Sequence, residues 1–403
     1  MMVQKEVILK IIVINTTFNI GSEGYTSYDF AKGLIENGAK VWAIVNKLGE
    51  NVNLDLFERI IVLNLNPKKK GWKVLFNLFS DIISFAISYL KGFHVIHGGV
   101  SNHHFLSSIL SRRIYTWGPA LVASDNQVFG DEDQLIYGLE PNEYRNNGNE
   151  EIVISTKINT IKIRANKILK IIDKFILSKF SLIIAANKYT CEQFSTLNVP
   201  VIIIPECVDT TYFYYTEPPR NLSILTLGVM LKHEGHEVAI RAFAEILKTI
   251  PHARLTVLGD GPERPFLVRL ISDLNITSSV ELKGWVSRDE VRRNLQSSEL
   301  VLLPAFIEEG GISTKECMSS GRPVIASNVM GHRNDIDDGV NGFLIPAGDY
   351  ISFARNAEML LNNDEMIMQI SRNARFKAEH IFDYRITSRM YVLKIKKLMK
   401  EGN

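Results

Sequence analysis

Short unbroken runs of β-branched and aliphatic residues alternate along the chain with longer stretches whose apolar positions recur every three to four residues. The first run, residues 6–15, reads as a parallel strand buried on both faces. A glycine-containing loop follows at 18–25, then a helical pattern at 28–38 and a second strand at 40–45, which together make a βαβ unit. Further strands are expected at 59–64, 93–98, 120–124, 182–187 and 201–205. Pro218 and Pro219 cannot continue a helix and mark a seam. After them the alternation restarts, with strands at 222–228, 253–259, 279–284, 299–304, 322–327 and 342–346. Helices are expected at 238–250, at 266–275 and from about 313. The pattern predicts an α/β chain of two Rossmann-like domains facing a cleft, 1–217 and 218–380. The period of residues 386–400 predicts an amphipathic helix in a terminal segment, 381–403.

Residues 72–90 approach the length of a membrane span, but Asn77, Asp81 and several serines interrupt them, and a helix packed on the sheet fits better. The lead-in Pro67-Lys-Lys-Lys-Gly-Trp72 is either a solvated loop or a basic-aromatic flank for peripheral contact with an anionic membrane. The lysine- and isoleucine-rich stretch 157–179 allows the same two readings. At 403 residues, with 46% hydrophobic and 22% charged, the chain exceeds one core and is not disordered. Lys plus Arg is 46 against 44 for Asp plus Glu, which excludes a whole-chain electrostatic grip on nucleic acid. Cys191, Cys207 and Cys317 form no CxxC pair, which argues against a zinc cage or disulfide framework. With no apolar signal core at the N-terminus, they point to a reducing, cytoplasmic setting.

The densest candidate chemistry lies between Leu302 and Asp349. A strand ends at Pro304, a loop carries Glu308-Glu309-Gly310-Gly311, and a helix begins that Ser313 or Thr314 could cap. The glycines let backbone N–H groups turn toward a ligand at the helix N-terminus, which attracts phosphate or sugar oxygens. Glu316 lies about one turn inside the helix, so two carboxylates eight residues apart can accept hydrogen bonds from two ends of one polyhydroxylated ligand. Taken alone, the two glutamates fit a capped surface helix with ordinary acidic residues better. Other candidates are weaker. His233 and His236 lack an evident third metal ligand, and His103-His104 reads as a solvated pair. Gly259-Asp-Gly261 lacks the third glycine of a dinucleotide fingerprint.

The neighbours of the two glutamates change the picture. Glu308 and Glu316 sit in order with Gly321-Arg-Pro-Val-Ile-Ala-Ser327, Gly331 and Asn341-Gly342, and upstream with Arg241-Ala-Phe243, Gly259-Asp-Gly-Pro262 and Lys283-Gly-Trp-Val286. Gly21, Asp29-Phe-Ala-Lys-Gly-Leu34, His97 and Val208-Asp209 extend the series more loosely toward the N-terminus. This arrangement resembles the retaining glycosyltransferases of family four, over nearly the whole chain. The resemblance implies a GT-B fold, with the terminal helix crossing back onto the first domain. It implies hexose transfer from a nucleoside-diphosphate sugar to a hydroxyl acceptor, with no bound metal or other cofactor. Glu316 would bind ribose hydroxyls and Glu308 would act catalytically at the hexose. The amides of Gly310, Gly311 and Ile312 would hold sugar or phosphate oxygens, and Gly21 would let the first loop approach the phosphates. Three departures from the family stand out. Val229 and Glu234 stand where an Arg and a Lys usually meet the diphosphate, leaving Lys232, His233 or Arg264 as substitutes. Ser124 stands where a catalytic His is common, and Glu206-Cys207 replaces an Asn-Gly. These departures keep a second function in view: a non-catalytic protein of the same fold that binds a nucleotide sugar or a partner enzyme.

Overall fold

The structure, a computed structural model, describes residues 8–18, 25–48, 52–65, 72–98, 114–120, 180–195, 197–308 and 310–401. Gly21, His103, His104, Ser124, Asp125, the basic flank at 67–71 and the stretch 157–179 lie outside them.

The first half comprises β1 (Lys10–Phe18), α1 (Tyr25–Glu36), β2 (Lys40–Leu48), β3 (Arg59–Val62), α2 (Trp72–Lys91), β4 (Val95–Gly98), β5 (Ile114–Ala120), β6 (Leu182–Ala185), α3 (Lys188–Gln193) and β7 (Val201–Ile203). Its strands lie in the order β3-β2-β1-β4-β5-β6-β7 with parallel ladders throughout. Ile11 through Ile14 are buried, as a strand covered on both faces requires. A strand runs over Ile114–Ala120, and residues 121–124 of the strand expected at 120–124 lie outside the described residues. Ile114, Tyr115, Thr116 and Trp117 are strong strand formers and pair with β4. Pro119 has no N–H to give, and the register with β6 shifts between Trp117 and Ala120.

The second half comprises β8 (Ser223–Leu227), α4 (His236–Thr249), β9 (Arg254–Leu258), α5 (Arg264–Asp273), β10 (Val280–Gly284), α6 (Arg288–Ser297), β11 (Leu300–Leu303), α7 (Ile312–Ser319), β12 (Val324–Ser327), α8 (Met330–Asp335), β13 (Phe343–Ile345), α9 (Tyr350–Leu361), α10 (Asp364–Lys377) and α11 (Tyr384–Glu401). The strand order is β10-β9-β8-β11-β12-β13, again all parallel. Both sheets are doubly wound, and in each the order reverses beside the first strand.

The terminal helix returns to the first half, as expected. Tyr391, Val392 and Ile395 of α11 are buried in one core with Leu9, Ile11 and Val13. Gly33 makes this approach possible, because a Cβ there would overlap the Ser388 hydroxyl and stand 2.6 Å from the Tyr384 carbonyl oxygen. Lys32 reaches Asp209 at 3.0 Å and lies 4.5 Å from the centre of the Tyr384 ring. The pieces of the 29–34 motif thus tie α1 to the crossing segment. Cys207 packs in the first core, whereas Val208 and Phe213 pack in the second half. Arg322, fully buried and without a carboxylate partner among the described residues, donates to the carbonyls of Ser298, Ser320 and Thr216 and fixes the chain entering β8.

Helix α2 differs from a simple packed helix. Ile83 and Ile87 lie against the core, and Ser80, Ser84 and Ser88 are buried. Leu75, Leu78, Phe79, Ile82, Tyr89 and Leu90 are exposed, so much of its apolar surface faces outward. Among the described residues no helix is long and apolar enough to cross a membrane.

Candidate functional site

In a doubly wound sheet, loops leaving the two strands beside the order reversal diverge and open a crevice at their carboxyl ends. In the second sheet those strands are β8 and β11. The loop after β8 carries Gly228, Val229 and a 3₁₀ turn over Lys232–Glu234. The loop after β11 carries Glu308, Gly310 and Gly311 into α7. The two are joined, because Phe306 N donates to the His233 carbonyl at 2.7 Å.

Gly311 caps α7, not Ser313 or Thr314: it takes a left-handed conformation at φ 59° that a side chain would strain, and no side-chain cap bond forms. The amides of Gly310 and Gly311 turn onto Glu308, whose Oε1 accepts from them at 3.1 and 2.9 Å. Gly331 N donates to the Glu308 carbonyl at 2.7 Å, so α8 holds the same residue from the other side. Ile312 is the first residue of α7. Glu316 is 1% exposed, and its Oε1 accepts from the Arg288 guanidinium, which stacks 4.5 Å over the centre of the Phe213 ring. Glu316 therefore faces Arg288 rather than open solvent.

Of the proposed phosphate substitutes, Lys232 is exposed and makes no ion pair with any described residue. Arg264 is occupied, with Nη2 donating to the Leu282 carbonyl at 3.3 Å and Nη1 3.8 Å from Asp260. The His233 imidazole lies 3.8 Å from Glu234. Glu234 faces the crevice, and burial, then the nearby charge of Glu308, pushes its carboxyl up to about 7. The folded state thus holds this proton more tightly than the unfolded chain, where the ordinary value is 4.5. Its contribution to stability is complete below about pH 4.5 and is lost as pH rises through about 7. Glu234→Gln should therefore be more stable than the parent at pH 8 by on the order of 1–3 kcal/mol, with little difference at pH 4, by urea unfolding. Equal stability at both pH values would show that Glu234 is solvated.

Other groups around the site escape sequence reasoning. Lys315 and Asp335 form a buried ion pair at 2.6 Å, and Lys315 Nζ also donates to the Gly310 carbonyl at 2.5 Å. The pair thus anchors the glycine loop from beneath. His332 is buried, its Nδ1–H donating to the Ser327 carbonyl at 2.9 Å, and burial lowers its pKa, keeping it neutral. A signal for Arg288 does exist. Ser287 and Glu290 have capping-box spacing and form that box at the start of α6, which places Arg288 at the first helical position. Among the described residues no group of three or more His, Cys, Asp or Glu is arranged to hold a metal. His97, within β4, packs in the core against Phe30, tilted, and Tyr391, edge-on, with ring centres 5.3 Å away in each case.

Residues 213–377 match the family model for glycosyl transferases group 1. The alpha-D-kanosaminyltransferase of Streptomyces kanamyceticus is 32% identical over 151 residues, which are 38% of this chain and 39% of that protein. The chain matches these curated relatives over 35–45% of their length. Among solved structures, HepE of Anabaena, in complex with UDP and glucose, aligns with a TM-score of 0.69 at 15% identity, covering 96% of this chain and 100% of its own. The sucrose-phosphate synthase of Thermosynechococcus elongatus aligns at 0.72 with 16% identity, over 98% and 100%. The chain has their GT-B fold.

Proposed function

We propose that this chain, whose residues 213–377 match the group 1 glycosyl transferases, moves a hexose from a nucleoside-diphosphate sugar to a hydroxyl acceptor with retention of configuration. The observation that carries the reading is the meeting of Glu308, the glycine loop and Glu316 of α7 at the order reversal of the second sheet. That place suits a nucleotide, and the two carboxylates suit the hydroxyls at its two ends. Relatives named as sugar transferases, and a neighbour in complex with UDP and glucose, support the same chemistry. Glu316 would accept ribose hydroxyls while Arg288 fixes its orientation. Glu308, released from the Gly310 and Gly311 amides by a bound sugar, would face the anomeric carbon. Those amides and that of Ile312 would then serve the ligand, and Gly21 and Lys232 would approach its phosphates.

Glu316→Gln keeps an acceptor for Arg288 but removes the charge. It should raise the donor dissociation constant about tenfold by calorimetry, equivalent to about 1.4 kcal/mol. An unchanged constant with the best donor would remove Glu316 from the nucleotide site. The half-buried Glu234, which stands where the resemblance expects a Lys, favours a second reading, a protein that binds a nucleotide sugar without turning it over. Release of free sugar or transfer from the bound donor excludes that reading.

The exposed residues of α2 support peripheral docking on an anionic bilayer. Leu75, Leu78, Phe79 and Ile82 recur at helical spacing on the outside, Lys68 to Lys70 precede the helix, and Lys91 ends it. The protein should co-sediment with phosphatidylserine-containing vesicles, and Leu78→Glu with Ile82→Glu should abolish this. Equal sedimentation of parent and double variant would place the contact elsewhere.

A further inference from the structure

The end of β8 carries a carboxylate that no described residue fully offsets. Glu234 lies in the 3₁₀ turn after that strand, and the turn is clamped to the end of β11. A Cβ on Gly235 would stand 2.0 Å from the Pro304 carbonyl oxygen, and Phe306 N donates to the His233 carbonyl at 2.7 Å. The carboxyl so held accepts no hydrogen bond from any described residue, and its nearest basic neighbour among them is the His233 imidazole at 3.8 Å. The other cations nearby are occupied or turned to solvent. Lys315 is bound to Asp335 and the Gly310 carbonyl, Arg264 lies against Asp260 and the Leu282 carbonyl, and Lys232 is exposed.

Open space lies beside this carboxyl. A Cβ on Gly228 would stand 3.1 Å from Glu234 Oε2 and 3.6 Å from His236 Nε2, so the glycine leaves clear what a side chain would fill. His236 is 3% exposed, and neither ring nitrogen makes a hydrogen bond of good geometry. Burial lowers its pKa and keeps the ring neutral, so one of its nitrogens is an acceptor. A carboxylate oxygen and a buried imidazole nitrogen therefore border one space, and each lacks a donor. Polar groups left so are costly until a ligand completes them.

The diphosphate of the proposed donor would add negative charge at the same strand ends, and carboxylates and phosphates repel unless a positive group stands between them. An alkylammonium brings one compact charge and three N–H donors, enough for a carboxylate, an imidazole nitrogen and a phosphate oxygen together. A sugar hydroxyl brings one donor and no charge, which leaves Glu234 uncompensated.

We infer that Glu234 receives the ammonium group of an amino sugar, carried into the crevice on the transferred hexose or on the acceptor. The inference rests on the donor reading above and narrows its substrate class from hexoses in general to a pair of substrates of which one bears an amine. Glu234 determines specificity for the charge, His236 supplies a second acceptor, and Gly228 keeps the space clear. A bound ammonium would bring the Glu234 carboxyl down from about 7 toward its ordinary range, because it supplies the opposite charge beside it.

The test is calorimetric titration of the full chain at pH 7 in two series. The first compares UDP-, GDP- and ADP-glucose with the same nucleotides carrying glucose that has an amine in place of one hydroxyl. The second, with the preferred nucleoside diphosphate bound, compares methyl glucoside with its amine-substituted counterparts. One amino compound should bind at least about tenfold more tightly than its hydroxyl parent. A gain in the first series puts the amine on the donor, and a gain in the second puts it on the acceptor. N-acetylation of that compound, which removes the charge, should abolish the gain, and so should Glu234→Gln, which preserves side-chain shape. Amino and hydroxyl compounds bound alike in both series overturn the inference and leave the donor reading intact. So does a gain that survives N-acetylation or Glu234→Gln. If no diphosphate or sugar nucleotide binds, the donor reading fails and the inference fails with it.

Discussion

Glu308→Gln is expected to lower sugar transfer by about two to three orders of magnitude while changing donor affinity far less. The glutamine keeps an Oε1 acceptor for the Gly310 and Gly311 amides, which lie 3.1 and 2.9 Å from the native oxygen, so the loop retains its shape. What disappears is a negative charge at the sugar end of the site, where positive charge develops as the glycosidic bond breaks. The same substitution should bring the Glu234 carboxyl down toward its ordinary range, because the Glu308 charge is part of what raises it. Initial rates with a confirmed donor and acceptor check the first effect. Full activity in Glu308→Gln would show that this carboxylate is not catalytic.

Lys315→Met should destabilise the protein by about 3–5 kcal/mol, the usual result of removing one partner from a buried ion pair. Lys315 and Asp335 have side chains 3% and 4% exposed, and the ammonium also holds the Gly310 carbonyl. Without it, Asp335 is left as a carboxylate in an apolar setting. Burial already pushes that carboxyl up to about 6 against the pull of Lys315. Lys315→Met combined with Asp335→Leu should recover much of the loss, because the cost arises mainly from the abandoned charge. Urea unfolding of the two variants checks both statements. A loss below about 1 kcal/mol in the single variant would mean that the pair is solvated and does not anchor the loop.

The parallel strands were legible because burial on both faces leaves continuous aliphatic runs, as in Ile11–Ile14 and Leu300–Leu303. The loop from Glu308 to Gly311 was legible because two carboxylates and two glycines between a strand and a helix have a clear chemical meaning. Helix α6 was not expected. Only Leu295 is buried on it, with Val291 one turn earlier packed against the same core, so its apolar period is two residues long and its capping box is the clearer local mark. Helices α9 and α10 have Asp349 and Asn363 as side-chain caps but were passed over between stronger patterns. The supports of the site are harder to read in principle. Lys315 and Asp335 are 20 positions apart, and Arg288 and Glu316 are 28 apart. Each resembles an ordinary surface charge until the fold buries it against its partner. Helix α2 misleads for a related reason, since a period of apolar residues identifies a helix without saying which face is covered.

The central claim is that a nucleoside-diphosphate sugar binds at the carboxyl ends of β8 and β11. Thermal unfolding of the full chain in a panel of UDP-, GDP- and ADP-sugars tests it most directly. Sugars of one base should stabilise the protein, by about 2.7 kcal/mol at a hundredfold excess over the dissociation constant, with much weaker effects from the other bases. No stabilisation by any member of the panel at saturating concentration would contradict the claim.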